Sequence, residues 1–372
     1  MMVKSLKIFV GLLITLSLAT ILFMQQKSFG KLPSGDILKR IEKSTHYKDG
    51  AFINIEETDI VAKDASYWSM ALKYFETSVD REPLKELPHV KTDLKNLSDR
   101  PNMIWFGHSS FLISVSGKKV LADPVFSERA SPVQYAGPKA YPGTMVYHES
   151  DLPDLDVIVI SHDHYDHLDY HTITNLAQRT KAFVVPLGVG QHLLHWGVPK
   201  EKIYEFDWWE GGQVAPGVDI TCTPARHFSG RGFTKNRTLW ASFVLKIGGL
   251  TIFIGGDSGY DQSFKKIGDT FGPFDIVMLE CGQYDVQWPS IHMMPEQTIQ
   301  ASIDLKAKVL LPVHWGKFTL ALHPWRDPIR RATVEAEKRD VKMTTPLIGE
   351  PVYIGESFPA MKWWEMDSFA LY

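Results

Sequence analysis

Ser161-His162-Asp163-His164-Tyr165-Asp166-His167-Leu168-Asp169 is the stretch on which the reading of this chain turns. It follows a strand-like apolar run at 156–160 and leads into a helical run at 170–179. While such a chain stays extended, residues two apart point to one side, so His162, His164 and Asp166 converge. The turn into the helix then brings His167 beside them. Three imidazoles and a carboxylate within so short a span suit a borderline-soft divalent cation such as zinc. One tetrahedral ion cannot use all four and keep a position for water, so a second ion is expected.

Two ions need further ligands, and the chain offers them in one pattern. His227 follows the strand-like run 218–224. Asp257 follows the run 250–254 and the pair Gly255-Gly256, which lets the backbone come close to an ion. His314 follows the run 309–313. Each candidate sits just past the C-terminal end of an apolar strand, where rigid elements hold side chains along one sheet edge. A lone His or Asp after a strand is ordinarily a cap or turn residue. The clustered motif and three matching positions together make that account a poor one.

The chain has 372 residues, 44% hydrophobic and 22% charged, the composition of an ordinary globular protein. Lys+Arg 40 against Asp+Glu 43 leaves a net charge of −3, which argues against nucleic acid as the main partner. Cys222 and Cys281 make neither a disulfide framework nor a thiolate zinc site, and both read as small buried hydrophobes. Residues 8–26 carry no charge and follow Lys4 and Lys7; as a helix they would span roughly 28 Å, about one hydrocarbon core. No small-residue cleavage site follows, so residues 1–26 are read as an uncleaved signal anchor, with a cleaved signal peptide as second choice. The catalytic part is expected on the exported side, although Lys27, Lys31, Lys39 and Arg40 argue for the reverse orientation.

Residues 27–99 read as a helical extension. Asp64 caps an expected helix there, with Trp68, Ala71, Leu72, Phe75 and Val79 on one face, packed on the main domain. From 100 to 372 short strands alternate with short helices, an α/β architecture of sheets covered by helices. Strands are expected at 103–115, 119–122, 156–160, 182–185, 218–224, 239–247, 250–254, 276–280 and 309–313. Helices are expected at 170–179, 189–196, 262–271 and 295–305.

The motif resembles the signature of the metallo-β-lactamase superfamily, and the likeness spans most of residues 100–350. It is closer to the N-acylphosphatidylethanolamine-hydrolysing phospholipase D group than to the β-lactamases. Gly107-His108-Ser109-Ser110, Asp123-Pro124-Val125-Phe126-Ser127, Ala130-Ser131-Pro132 and Gly137-Pro138-Lys139 carry that likeness. So do Asp207-Trp208-Trp209-Glu210, Gly272-Pro273-Phe274-Asp275 and His314-Trp315-Gly316. The resemblance implies an αββα sandwich with two zinc ions at one edge. It implies His162, His164 and His227 as ligands of the first ion, Asp166, His167 and His314 as ligands of the second, and Asp257 as the bridge. Departures are Asp163 in place of Asn, Ser258 in place of Thr, and Ile291 where Gln would precede His292.

Two zinc ions about 3.5–4 Å apart would bind a water, lower its pKa and direct its hydroxide at phosphorus. Asp166 would also orient that nucleophile. His292 is the candidate that contacts phosphate or protonates a leaving oxygen, against the plainer reading of a surface-loop histidine. His108 reads as a packing or ligand-supporting residue. Tyr284 and Asp285 are expected to shape the pocket, Trp208 and Trp209 to lie in the core, and His192 and His195 to lie on a helix surface.

The expected activity is thus a binuclear zinc phosphodiesterase of phospholipase D type, with a phospholipid substrate and membrane attachment through the N-terminal helix. The alternative is a zinc hydrolase of a small soluble phosphoester or lactone. A mononuclear iron dioxygenase and a non-enzymatic metal-binding scaffold are remoter readings, and a homodimer is left open.

Overall fold

The chain is described by a computed structural model over residues 2–74, 76 and 80–366. It opens with helix α1 (Met2–Met24), followed by α2 (Asp36–Ile41), a two-stranded ribbon of β1 (Tyr47–Lys48) and β2 (Ala51–Phe52), and α3 (Tyr67–Tyr74). The first large sheet is built from β3 (Asn102–Trp105), β4 (Phe111–Val115), β5 (Lys118–Ala122) and β6 (Leu155–Val159), then, beyond α4 (Tyr170–Leu176), β7 (Thr180–Pro186). Helix α5 (Gly190–His195) leads to its strand β8 (Ile203–Phe206). The second sheet contains β9 (Gly211–Ala215), β10 (Val218–Thr223), β11 (Ser242–Ile247) and β12 (Leu250–Ile254). After α6 (Ser263–Phe271) come β13 (Ile276–Glu280), α7 (Pro295–Asp304), β14 (Leu310–Val313), α8 (Asp327–Lys338) and β15 (Pro351–Tyr353). Strand order is β15-β3-β4-β5-β6-β7-β8 in one sheet and β14-β13-β12-β11-β10-β9 in the other.

Alternation along each strand creates the layers. Val157 and Val159 of β6 enter the core between the sheets, whereas Ile158 joins Ile173 and Leu176 of α4 on the outer face. Ile252 and Ile254 of β12 likewise face the inter-sheet core, and Phe253 joins Phe264, Ile299 and Ala332 of α6, α7 and α8. Strands covered on both sides must be apolar at nearly every position, which is why they read as continuous runs. The result is the αββα sandwich that the family resemblance implied.

The expected strands and helices of residues 100–313 are present with ends shifted by a few residues. The run at 103–115 is in fact two strands, because Gly107 (φ +82) and His108 (φ +52) reverse the chain between β3 and β4. Strands β8, β9 and β15 and helix α8 went unforeseen. Trp208 is buried and Trp209 half-buried at a turn.

The segment 27–99 is less helical than expected, with α2, α3, the β1–β2 ribbon and two short 3-10 turns joined by irregular chain. Two residues of its apolar stripe are not packed on the main domain: Trp68 is 75% and Leu72 58% exposed. Phe75 and Val79 of that stripe lie outside the described residues. Helix α1 is long and apolar enough to cross a membrane.

One buried cation lies in the core below the strand ends. Lys317 is 1% exposed and donates to Val125 O at 2.8 Å. Burial pushes its pKa down to about 8, whereas the unfolded amine titrates near 10.4. Between those values the unfolded chain binds the extra proton, so this group makes stability rise with pH. We therefore expect the stability of wild type relative to Lys317→Met to grow by up to about 3 kcal/mol from pH 7.5 to 10.5. Urea denaturation of the detergent-purified pair measures it; a constant difference would refute the desolvated amine.

Candidate metal centre

Every sequence-predicted ligand lies in a loop past a strand C-terminus, after β6, β10, β12 or β14. The motif itself is not extended. His164 O accepts from His167 N at 3.1 Å and Leu168 N at 2.8 Å, so the chain coils directly after His162. A tight turn, rather than strand alternation, makes these side chains converge.

The donor atoms fall into two groups. His162 Nε2 lies 2.8 Å from His164 Nδ1, and His227 Nε2 lies 3.3 Å from the same atom. Asp257 Oδ2 is 3.7 Å from both His162 Nε2 and His227 Nε2. The other oxygen of Asp257, Oδ1, is 3.2 Å from His167 Nε2 and 3.1 Å from His314 Nδ1. Asp166 Oδ2 completes that side, 3.3 Å from His167 Nε2. His108 Nε2 sits 2.8 Å from Asp166 Oδ2 and can itself be counted in the second group.

The hydrogen bonds around the rings show what these groups are built to hold. Asp123 Oδ2 accepts from His167 Nδ1 at 2.8 Å, which turns His167 Nε2 toward the carboxylate oxygens of Asp166 and Asp257. That nitrogen and Asp257 Oδ1 are buried without a hydrogen-bond partner. Ser161 Oγ donates to Asp123 at 2.7 Å and so accepts from His162 Nδ1 at 2.9 Å. Ile291 O accepts from His227 Nδ1 at 2.9 Å. His162 and His227 thus turn unprotonated Nε2 atoms toward the carboxylate of Asp257, and His167 Nε2 stands between two carboxylates, an arrangement costly in a buried site unless a cation lies among them. The donor set fits divalent metal.

The electrostatics agree. Burial pushes the Asp257 pKa up to about 7, against the pull of His167. Burial would lower the His167 pKa, but the carboxylates of Asp257, Asp166 and Asp123 outweigh it and hold it well above the ordinary range. Burial also presses His162, His227 and His314 well below their usual value, which keeps them neutral donors.

Several supporting residues were not foreseen. Asp123 stood in the sequence only as part of a matching run. Glu280, at the end of β13, is fully buried; its Oε2 lies 2.6 Å from His292 Nδ1, and its Oε1 accepts from Met293 N at 2.8 Å. A glutamate closing an otherwise apolar strand was the signal for it, since a buried acid needs a partner. His292 is therefore no surface-loop residue. His192, expected on a helix surface, is 1% exposed and donates to Asp163 at 3.2 Å. Tyr284 turns to Asp327 instead of the cavity, which its neighbour Gln283 lines.

The groups open into a cavity of about 230 Å³ walled by Phe228, Trp288, Ile291 and Leu320, and by Ile60 and Val61 from the N-terminal segment. That segment also braces a ligand: Asn54 donates to His227 O at 2.8 Å and accepts from His227 N at 3.0 Å.

Such a fold and donor set define a metal-dependent hydrolase. Residues 118–315 match the model of the β-lactamase superfamily domain. An uncharacterized protein of Mycobacterium tuberculosis is 40% identical over 335 residues, 87% of this chain and 88% of that one. N-acyl-phosphatidylethanolamine-hydrolyzing phospholipase D 1 of Caenorhabditis elegans is 35% identical over 265 residues, 66% of this chain and 74% of its own. Among solved structures, the metallo hydrolase Igni18 of Ignicoccus hospitalis superposes with a TM-score of 0.51 at 23% identity, over 68% of this chain and 97% of its own. The chain belongs to the metallo-β-lactamase superfamily.

Asn54→Ala should cost about 1–3 kcal/mol, because His227 loses both backbone partners. It should also weaken metal retention about tenfold. Chelator competition followed by metal analysis tests this; an unchanged curve would separate the segment from the site.

Proposed function

We propose that this chain is a phosphodiesterase of phospholipase D type that uses two zinc ions and acts on N-acylphosphatidylethanolamine-like phospholipids. The carrying observation is the Asp257 carboxylate, with one oxygen toward each donor group, at the base of an apolar-walled cavity. The histidine-rich donors favour zinc, and similarity to the worm phospholipase favours the lipid. In this reading residues 100–372 are the catalytic domain, and residues 27–99 complete its cavity.

His162, His164, His227 and Asp257 would hold one ion; Asp166, His167, His314 and Asp257 would hold the other. Bound there, the ions supply Lewis acidity, which makes water a competent nucleophile near neutral pH and offsets phosphoryl charge. His108 steadies Asp166, and Asp123 sets the tautomer of His167. Glu280 fixes His292 through Nδ1, leaving Nε2 for the cavity that the ring lines. The water oxygen forms the new bond to phosphorus as the phosphorus–oxygen bond to N-acylethanolamine breaks. The departing oxygen takes its proton from His292 Nε2, a proton given up by the attacking water replaces the one the ring gave, and phosphatidic acid remains. Phe228, Trp288, Ile291 and Leu320 give acyl chain a dry wall.

Detergent-purified wild type should carry two zinc ions and release N-acylethanolamine and phosphatidic acid, identified by mass. Asp257→Asn and His314→Ala should each lower the rate more than about 100-fold and lose metal. Two zinc ions with no hydrolysis of this lipid would overturn the substrate; a single iron would overturn the mechanism.

A further inference from the structure

The loop that leaves the metal centre runs straight to the foot of α1. His227 belongs to the first donor group and Phe228 to the cavity wall. Gly230 N donates to Asp163 Oδ1 at 2.7 Å. Arg231, 5% exposed, donates to Ser28 O at 2.7 Å and to Asp163 O at 2.8 Å and Leu168 O at 2.7 Å in the motif loop. Gly232 lies against Met24, the last residue of α1, where an added Cβ would come within 2.7 Å of the methionine methyl.

Other contacts seat the same foot. Trp196 Nε1 donates to Lys27 O at 2.7 Å, and Lys31 N donates to His192 Nδ1 at 2.9 Å. Gly30 (φ +75) allows this approach, since a Cβ there would meet His192 Nδ1 at 2.1 Å. Helix α1 therefore ends on the back of the motif loop. The five-residue step from His227 to Gly232 puts those two α-carbons at most about 18 Å apart.

Around this foot the surface has the composition of a membrane interface. Phe233 is 84% and Leu32 46% exposed, and Lys27, Lys31 and Lys235 are exposed beside them. Aromatic and apolar side chains interleaved with lysines at the end of an apolar span match headgroup phosphates over acyl chains.

We propose that the foot of α1 and the loop 228–235 form one bilayer-seating face, which holds the cavity at the headgroup level of the membrane that α1 spans, so that substrate is drawn from that same bilayer. The seating stands on these contacts; only its last clause rests on the lipid reading above. Tethering by α1 gives proximity, whereas the seated loop gives the cavity a fixed height.

Cys222 and Cys281 are both buried, so a cysteine placed at Phe233 offers a selective thiol. The full chain carrying Phe233→Cys is labelled with an environment-sensitive dye and reconstituted in phosphatidylcholine–phosphatidylglycerol vesicles. Emission should shift to the blue and be quenched by nitroxide lipids. The same dye at Lys308→Cys, at the opposite end of β14 from His314, should stay water-like. Phe233→Glu should raise KM for N-acylphosphatidylethanolamine in vesicles about tenfold, with kcat and the hydrolysis of a short-chain monomeric analogue unchanged. A water-like dye at position 233 overturns the seating, whatever the activity. A quenched dye on a protein inert toward every phospholipid keeps the seating and overturns the lipid reading.

Discussion

Asp257 lies between two sets of imidazole nitrogens with one carboxylate oxygen toward each, in a place where burial opposes its charge. The structure around it is arranged to make that position tenable. Gly255 and Gly256 carry the chain out of β12 with no side chain to spare: a Cβ on Gly255 would meet Met278 O at 2.5 Å, and one on Gly256, at φ +61, would meet Ser161 Cβ at 2.7 Å. Only glycine lets this turn press between β13 and the motif loop and deliver the carboxylate to the middle. A buried acid so placed requires compensation, and the neutral imidazoles of His162 and His227, each turned toward it, fit a cation between them.

Rigidity follows from the same constraint. Asp123 binds Ser161 N, Ser161 Oγ and His167 Nδ1, so one carboxylate outside the donor groups orients His167 directly and His162 through the serine. His314 and His108 both adopt positive φ, +65 and +52, and pair through His314 N to His108 O at 3.0 Å. Such conformations persist where the surroundings over-determine them. Here the stacked rings of Trp105, Trp315 and Trp363 lie directly beneath.

The N-terminal segment belongs to this site. Asn54 braces His227, Ile60 and Val61 wall the cavity, and Arg226 donates to Glu57 O at 3.0 Å and Thr58 Oγ1 at 2.9 Å. Asp163, turned away from the metal donors, gathers Gly230, Thr238 and His192 into the network that receives residues 27–31. One loop thus has two faces, imidazoles toward the cavity and carboxylate toward the foot of α1.

The strands of the sandwich and the side chains gathered at their ends were legible in the chain because each depends on local order, and the family resemblance supplied the layering. Strands covered on both faces must be apolar throughout, and β12 and β13 match the runs 250–254 and 276–280 residue for residue. Candidate ligands at strand ends sit where a run of that kind stops, so the clustering of His162, His164, Asp166, His167, His227, Asp257 and His314 could be expected before any contact was known. The apolar length of α1 was legible for the same reason. Tertiary structure alone decided the rest. Asn54 and His227 are 173 residues apart, Arg231 and Ser28 are 203 apart, and nothing local marks either pair. The stripe of Trp68 and Leu72 has helical spacing whether or not anything covers it, and the fold leaves it exposed. Periodicity reports which face of an element is apolar, whereas long-range packing decides what that face meets; the same packing turned His192 inward and gave His292 its buried glutamate.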